Sequence, residues 1–123
     1  MTKRILILAI VLVAAVSWAG LALAGDDETT PLAKMDGKEL FRNVCKQCHG
    51  PDAAAGEYTP MTLIQEQWEE FFDTNLADTH KDVTCPKDKS KKMLDVLDKD
   101  MIKKIRAFCV DHAADSESPM TCG

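Results

Sequence analysis

The sequence predicts an all-α domain, and three observations carry that expectation. Asp36-Gly37-Lys38-Glu39 opens an apolar run at helical spacing, with Asp36 as cap and Glu39 three residues on to reach back to it. Asp98 opens a second such run, in which Met101, Ile102, Ile105, Phe108 and Cys109 share one face. Between them, Leu63, Ile64, Trp68, Phe71 and Phe72 fall on one side of a helix, with Gln65, Glu66, Glu69 and Glu70 on the other. Neither an alternating strand pattern nor an internal repeat is visible.

The first helix runs from Asp36 through Leu40, Phe41, Val44, Cys45 and Cys48, and Gly50-Pro51-Asp52 ends it. Residues 53–60 read as a loop. The second helix spans about 62–75. Residues 76–92 are polar and read as a long loop with a lysine-rich run from Lys87 to Lys92, either a solvated stretch or a docking patch. The third helix runs from Asp98 to about His112, and residues 113–123 form a small, polar tail.

What precedes residue 36 is of another kind. A basic Thr2-Lys3-Arg4, an apolar Ile5 to Val16 and a small-residue stretch ending Ala22-Leu23-Ala24 have the layout of a secretory signal. Cleavage is expected after Ala24. The competing reading is an uncleaved anchor, since residues 5–24 are long enough to span a bilayer. The expected organisation is a signal peptide over 1–24, a flexible lead-in over 25–35, one domain over 36–112 and a tail over 113–123.

The whole chain of 123 residues has a formal charge of −5. Residues 25–123 hold 13 Lys+Arg against 20 Asp+Glu, a formal charge of −7. A general nucleic-acid binder needs the opposite balance to neutralise phosphates. Export also permits disulfides.

Cys45-Lys46-Gln47-Cys48-His49 is C-x-x-C-H, the attachment signature of c-type haem. Two thiols one helical turn apart add across the two haem vinyl groups as thioethers. The histidine next in line meets the iron as proximal ligand. Attachment takes place outside the cytoplasm, in agreement with the export signal. A thioredoxin-like pair is the first competing reading, but it belongs after a strand in an α/β fold. A zinc site is the second, and it needs another close pair of ligands, which Cys85 and Cys109 do not make.

From Gly37-Lys38-Glu39-Leu40-Phe41 to Cys45-x-x-Cys48-His49-Gly50, and again from Leu97-Asp98-Lys99-Asp100-Met101-Ile102 to Ala107-Phe108, the chain resembles the class I cytochromes c. The likeness covers roughly residues 34–112. It implies a cytochrome c-like fold with crossed N- and C-terminal helices around one covalently attached haem. Gly37 and Phe108 match the small and aromatic residues that meet where those helices cross. It also implies a carbonyl near a proline, Pro60 or else Pro51, that orients the proximal imidazole.

The family's distal ligand is a methionine on a loop before the last helix. Here that place falls on His80-Lys81, which makes His80 the first candidate and the iron bis-histidine. Met93, five residues before Asp98, is the second. Met61 and Met120 come further down; Met101 is better read as core and His112 as a residue of the helix end. Expected haem walls are Phe41, Val44, Leu63, Trp68, Phe71 and Ile105. Cys85, Cys109 and Cys122 allow one bridge, Cys109–Cys122 or Cys85–Cys109, and sequence does not choose between them.

The resemblance implies a small periplasmic or extracellular monohaem electron carrier. It would be no enzyme, bind no nucleic acid and keep no membrane span once the signal is cut. Its partners would be a donor and an acceptor redox protein, met transiently. A haem sensor or small haem enzyme with a labile sixth ligand is the alternative on the same cofactor. A thiol oxidoreductase using Cys45 and Cys48 is the alternative without it.

Overall fold

A computed structural model describes residues 30–120; the signal segment and Cys122 lie outside that range. The described chain is helical. Its nearest approach to a strand is a single antiparallel bridge between Thr84 and Lys92. No helix among the described residues is long and apolar enough to cross a membrane.

Helix α1 comprises Gly37–Leu40, a π-helical turn over Phe41–Cys45, and Lys46–Cys48. The expected capping box is present. The Glu39 amide donates to Asp36 Oδ1 at 2.8 Å, and the Asp36 amide to Glu39 Oε2 at 2.9 Å. Helix α2 comprises Gln65–Glu70, a second π-helical turn over Phe71–Asn75, and Leu76–His80. Helix α3 is the short Met93–Val96, and helix α4 is Lys99–Asp111, capped by the Asp98 carboxylate on the Met101 amide at 2.9 Å.

α4 packs on both α1 and α2. Leu40 and Val44 of α1, Trp68 of α2, and Ile105, Phe108 and Cys109 of α4 meet in the core together with Met93 and Leu97. The contact of α1 with α4 depends on Gly37. A Cβ there would collide with the Lys104 carbonyl oxygen and lie 2.9 Å from Phe108 Cβ. With no side chain in the way, the Phe41 and Phe108 rings come to 5.6 Å.

Three boundaries differ from the sequence reading. First, α2 starts at Gln65, not at 62, because Pro60–Thr62 forms a separate 3-10 turn. The Gln65 amide finds its acceptor far away in sequence, on Asp115 Oδ1 at 2.8 Å. Second, α2 runs past 75 to His80. The π turn breaks the 3.6-residue period there, so a pattern search loses the helix. Third, the lead-in and tail are fastened where described. Met35 is buried, and Lys104 Nζ donates to the Ala33 and Met35 carbonyls at 3.3 and 3.2 Å. Ala113 is fully buried, and the Ala114 amide donates to the Leu63 carbonyl at 3.1 Å.

Candidate functional site

Cys45, Cys48 and His49 sit at the end of α1, one turn apart, and the His49 amide donates to the Cys45 carbonyl at 2.9 Å. At His49 the backbone leaves the helix, with φ −117° and ψ 33°. Residues 50–58 then fold back. Gly56 takes φ +88°, a conformation other residues resist, and this turn sets its carbonyl 2.9 Å from His49 Nδ1. A carbonyl can only accept, so Nδ1 is the donor in this bond and Nε2 is the ring nitrogen left for a metal. The Tyr58 amide donates to the His49 carbonyl at 3.2 Å, and the Tyr58 ring stands edge-on to the imidazole at 5.0 Å.

The orienting carbonyl is thus neither of the proline-associated ones expected. The Pro60 carbonyl accepts from buried Trp68 Nε1 at 2.8 Å instead. The left-handed Gly56 was the available signal, and a lone loop glycine is too common to single out in a sequence.

His80 closes α2. Its Nδ1 lies 3.2 Å from the Leu76 carbonyl and 2.8 Å from Thr79 Oγ1. Burial holds its imidazole below the ordinary pKa; the Leu76 carbonyl opposes this and the neighbouring His49 adds to it. His80 therefore shares one feature with His49: its Nδ1 lies within hydrogen-bond distance of a backbone carbonyl, which leaves Nε2 as the nitrogen available to a metal. The two rings are neighbours in an edge-on arrangement, with centres 6.1 Å and planes 65° apart.

The position of His80 depends on the π turn. At about 100° per residue, a regular α-helix would set position 80 about 120° round from position 68. A π-bulge takes up one extra residue and reduces that offset to roughly 20°. Trp68 and His80 consequently line the same cavity.

That cavity has a volume of about 570 Å³, within the range of roughly 300–1,000 Å³ usual for cofactor pockets. Cys45, Cys48, His49 and His80 all line it. Phe41, Val44, Leu63, Trp68, Phe71 and Ile105, the expected walls, all line it. Sequence reasoning missed Tyr58, Leu76, Thr79, Val83 and Pro86, which also border it and belong to no visible motif.

Met93 is buried against the same cavity, so both distal candidates reach it. Met61 is exposed and, like Met101 and Met120, does not border it. Nor does His112, whose Nδ1 donates to the Ser118 carbonyl at 2.8 Å while its ring packs on Phe108.

The donor set fits one iron between two imidazoles. With metal–nitrogen bonds of about 2 Å and about 1 Å from each ring nitrogen to its ring centre, one metal holds the centres of two imidazoles about 6 Å apart. The apolar walls and the paired thiols at the cavity edge fit a large flat macrocycle. Among the described residues no three His, Cys, Asp or Glu gather to hold a metal ion by themselves, which leaves a zinc site short of ligands.

The cysteines also bear on the thiol-oxidoreductase reading. Burial pushes the Cys45 thiol up to about 12, and Cys48 adds to the rise against a backbone hydrogen bond that opposes it. A thiol–disulfide catalyst needs the opposite, a thiol shifted toward its thiolate. Cys85 and Cys109 are both buried as free thiols, so the Cys85–Cys109 bridge is not formed. The Cys109–Cys122 alternative involves a residue outside those described.

No family model, no curated protein and no solved structure matches this chain.

Proposed function

We propose that the chain is a small exported monohaem c-type cytochrome that passes single electrons between redox proteins. The observation that supports this most is the convergence of C-x-x-C-H and His80 on one apolar cavity, with the two imidazole centres 6.1 Å apart.

Cys45 and Cys48 would hold the haem by thioether bonds, His49 would be the proximal iron ligand and His80 the distal one. The haem, when bound, supplies a one-electron Fe(III)/Fe(II) couple. The protein's part is to fix both imidazoles and keep water out. The Gly56 and Leu76 carbonyls hold the His49 and His80 rings at Nδ1, and each Nε2 would then be the nitrogen that binds the iron. Phe41, Trp68, Phe71 and Ile105 supply a low-dielectric wall, which raises the cost of any net charge at the centre and so helps set its potential. Neither ring needs to move for an electron to arrive or leave, and no substrate group has to be bound.

The test is covalent retention. Protein matured in a host that attaches c-type haem keeps its colour through denaturation and acid–acetone extraction. Changing both Cys45 and Cys48 to Ala abolishes this. Complete release of haem from the unmodified protein overturns the reading.

A further inference from the structure

His49 and His80 are held at Nδ1 in unlike ways. Among the described residues, the Gly56 carbonyl at 2.9 Å is the hydrogen-bond partner of the His49 ring. The His80 ring has two: the Leu76 carbonyl at 3.2 Å and, nearer, Thr79 Oγ1 at 2.8 Å. That hydroxyl is itself fastened. It lies 2.8 Å from the carbonyl of Asn75, the last residue of the π turn, and 3.3 Å from that of Leu76.

Threonine in a helix divides between two χ1 states, and a bond back to the carbonyl four residues earlier selects one. Thr79 Oγ1 therefore has a fixed place beside the imidazole. Which atom donates follows from the proton count. A neutral imidazole bound to a metal through Nε2 carries its proton on Nδ1. Nδ1 then donates to Oγ1, and the hydroxyl gives its one proton to the Asn75 carbonyl.

Such a chain has more to do at His80 than at His49. His49 adjoins Cys48, and the loop after it is bonded back through Gly56 and Tyr58. His80 is the last residue of α2, and Thr79 beside it is exposed while also bordering the cavity. Water at an exposed rim accepts a proton without fixing a direction. An oxygen anchored on the helix backbone fixes one.

Resting on the reading of the site as a haem centre, we infer that Thr79 is the positioning residue of the distal ligand. Its hydroxyl, anchored on the Asn75 carbonyl, accepts the Nδ1 proton of His80, sets the plane of that ring and strengthens its hold on the iron. A hydrogen bond accepted from Nδ1 makes an imidazole a more basic ligand. Greater basicity favours ferric iron and lowers the potential.

The test uses the haem-loaded protein and three variants, with readouts other than electron-transfer rate. Cyanide is titrated against the ferric form, where it competes with His80 for the iron. Loss of an outer partner costs roughly 10–100-fold in a ligand's hold on its metal, and the Leu76 carbonyl still remains. Thr79→Val should therefore bind cyanide about tenfold more tightly than the wild type, the lower end of that range. Its potential should rise. Its electron-spin-resonance g values, which report the angle between the two imidazole planes, should shift. Thr79→Ser keeps the hydroxyl and should match the wild type. Thr74→Val loses a hydroxyl bond of the same kind on the same helix, to the Glu70 carbonyl at 2.6 Å, and should also match it.

Unchanged cyanide affinity and potential in Thr79→Val overturn the assignment and leave the haem reading intact. So does a Thr79→Ser variant that behaves like Thr79→Val, or a Thr74→Val variant that does, since the effect then belongs to the helix and not to the hydroxyl. A wild-type spectrum in His80→Ala overturns it as well, again without touching covalent attachment. Release of haem on extraction is the separate result that overturns the haem reading itself.

Discussion

The His49 and His80 rings line one cavity with their centres 6.1 Å and their planes 65° apart, although one ends α1 and the other ends α2. Each has its Nδ1 within hydrogen-bond distance of a backbone carbonyl, which leaves Nε2 as the nitrogen available to a metal. This favours His80 over Met93 as distal ligand. His80→Ala should give an open or high-spin haem in the optical and electron-spin-resonance spectra. Met93→Leu should leave them nearly unchanged. The oxidised wild type should lack the near-infrared band of a sulfur–iron bond. Its potential should also lie below that of a His–Met centre, because a thioether favours ferrous iron. A low-spin sulfur signature that disappears in Met93→Leu alone would make Met93 the ligand.

Export is checked separately. Intact mass spectrometry of the secreted protein should give a chain beginning at Gly25 with one added haem. Retention of Ile5 to Val16 would favour the anchored form of the carrier.

Gly37 lets the α1 backbone lie close against α4 at Lys104 and Phe108. In Gly37→Ala the new Cβ meets the Lys104 carbonyl and Phe108 Cβ, and backbone cannot step aside as a flexible side chain does. Overpacking of this kind costs about 1–3 kcal/mol, partly offset by the better helix propensity of Ala. Denaturant titration of the haem-loaded protein should show that loss as a lower midpoint with an unchanged slope.

Trp68 links the loop after the haem motif to α2 through its bond to the Pro60 carbonyl at 2.8 Å. Trp68→Phe keeps most of the apolar contact and leaves that carbonyl without its donor, at a cost of about 1–3 kcal/mol. The measurable consequence is a lower denaturation midpoint. Equal stability of the two proteins would mean that water or another donor takes over.

The parts of the molecule legible in its sequence are those specified by local chemistry. Asp36–Glu39 and Asp98 are caps whose partners lie within three residues, and the C-x-x-C-H turn and the apolar faces are local as well. The illegible parts depend on groups distant in sequence. Asp115 caps α2, Lys104 fastens residues 33–35, and Leu63 receives the tail, none of which has a periodic signal. The end of α2 was hidden for a different reason. Its own period is interrupted, so Leu76 to His80 reads as loop although it continues the helix.

That interruption leads to the last prediction. The π turn over Phe71–Asn75 absorbs one residue and so keeps His80 on the side of α2 that carries Trp68. Deleting Thr74 should let the bulge relax to a regular α-helix. Eleven steps of about 100° still leave the former His80 within roughly 20° of the Trp68 direction. Inserting one alanine between Thr74 and Asn75 should instead turn that imidazole by about a further 100°, away from the cavity. Thr74 itself contributes a hydroxyl bond to the Glu70 carbonyl at 2.6 Å, and Arg106 keeps its pair with Asp73 in either variant. The deletion variant should therefore retain a low-spin bis-histidine spectrum, while the insertion variant becomes high-spin or recruits Met93. If both variants give the wild-type spectrum, the bulge does not aim His80.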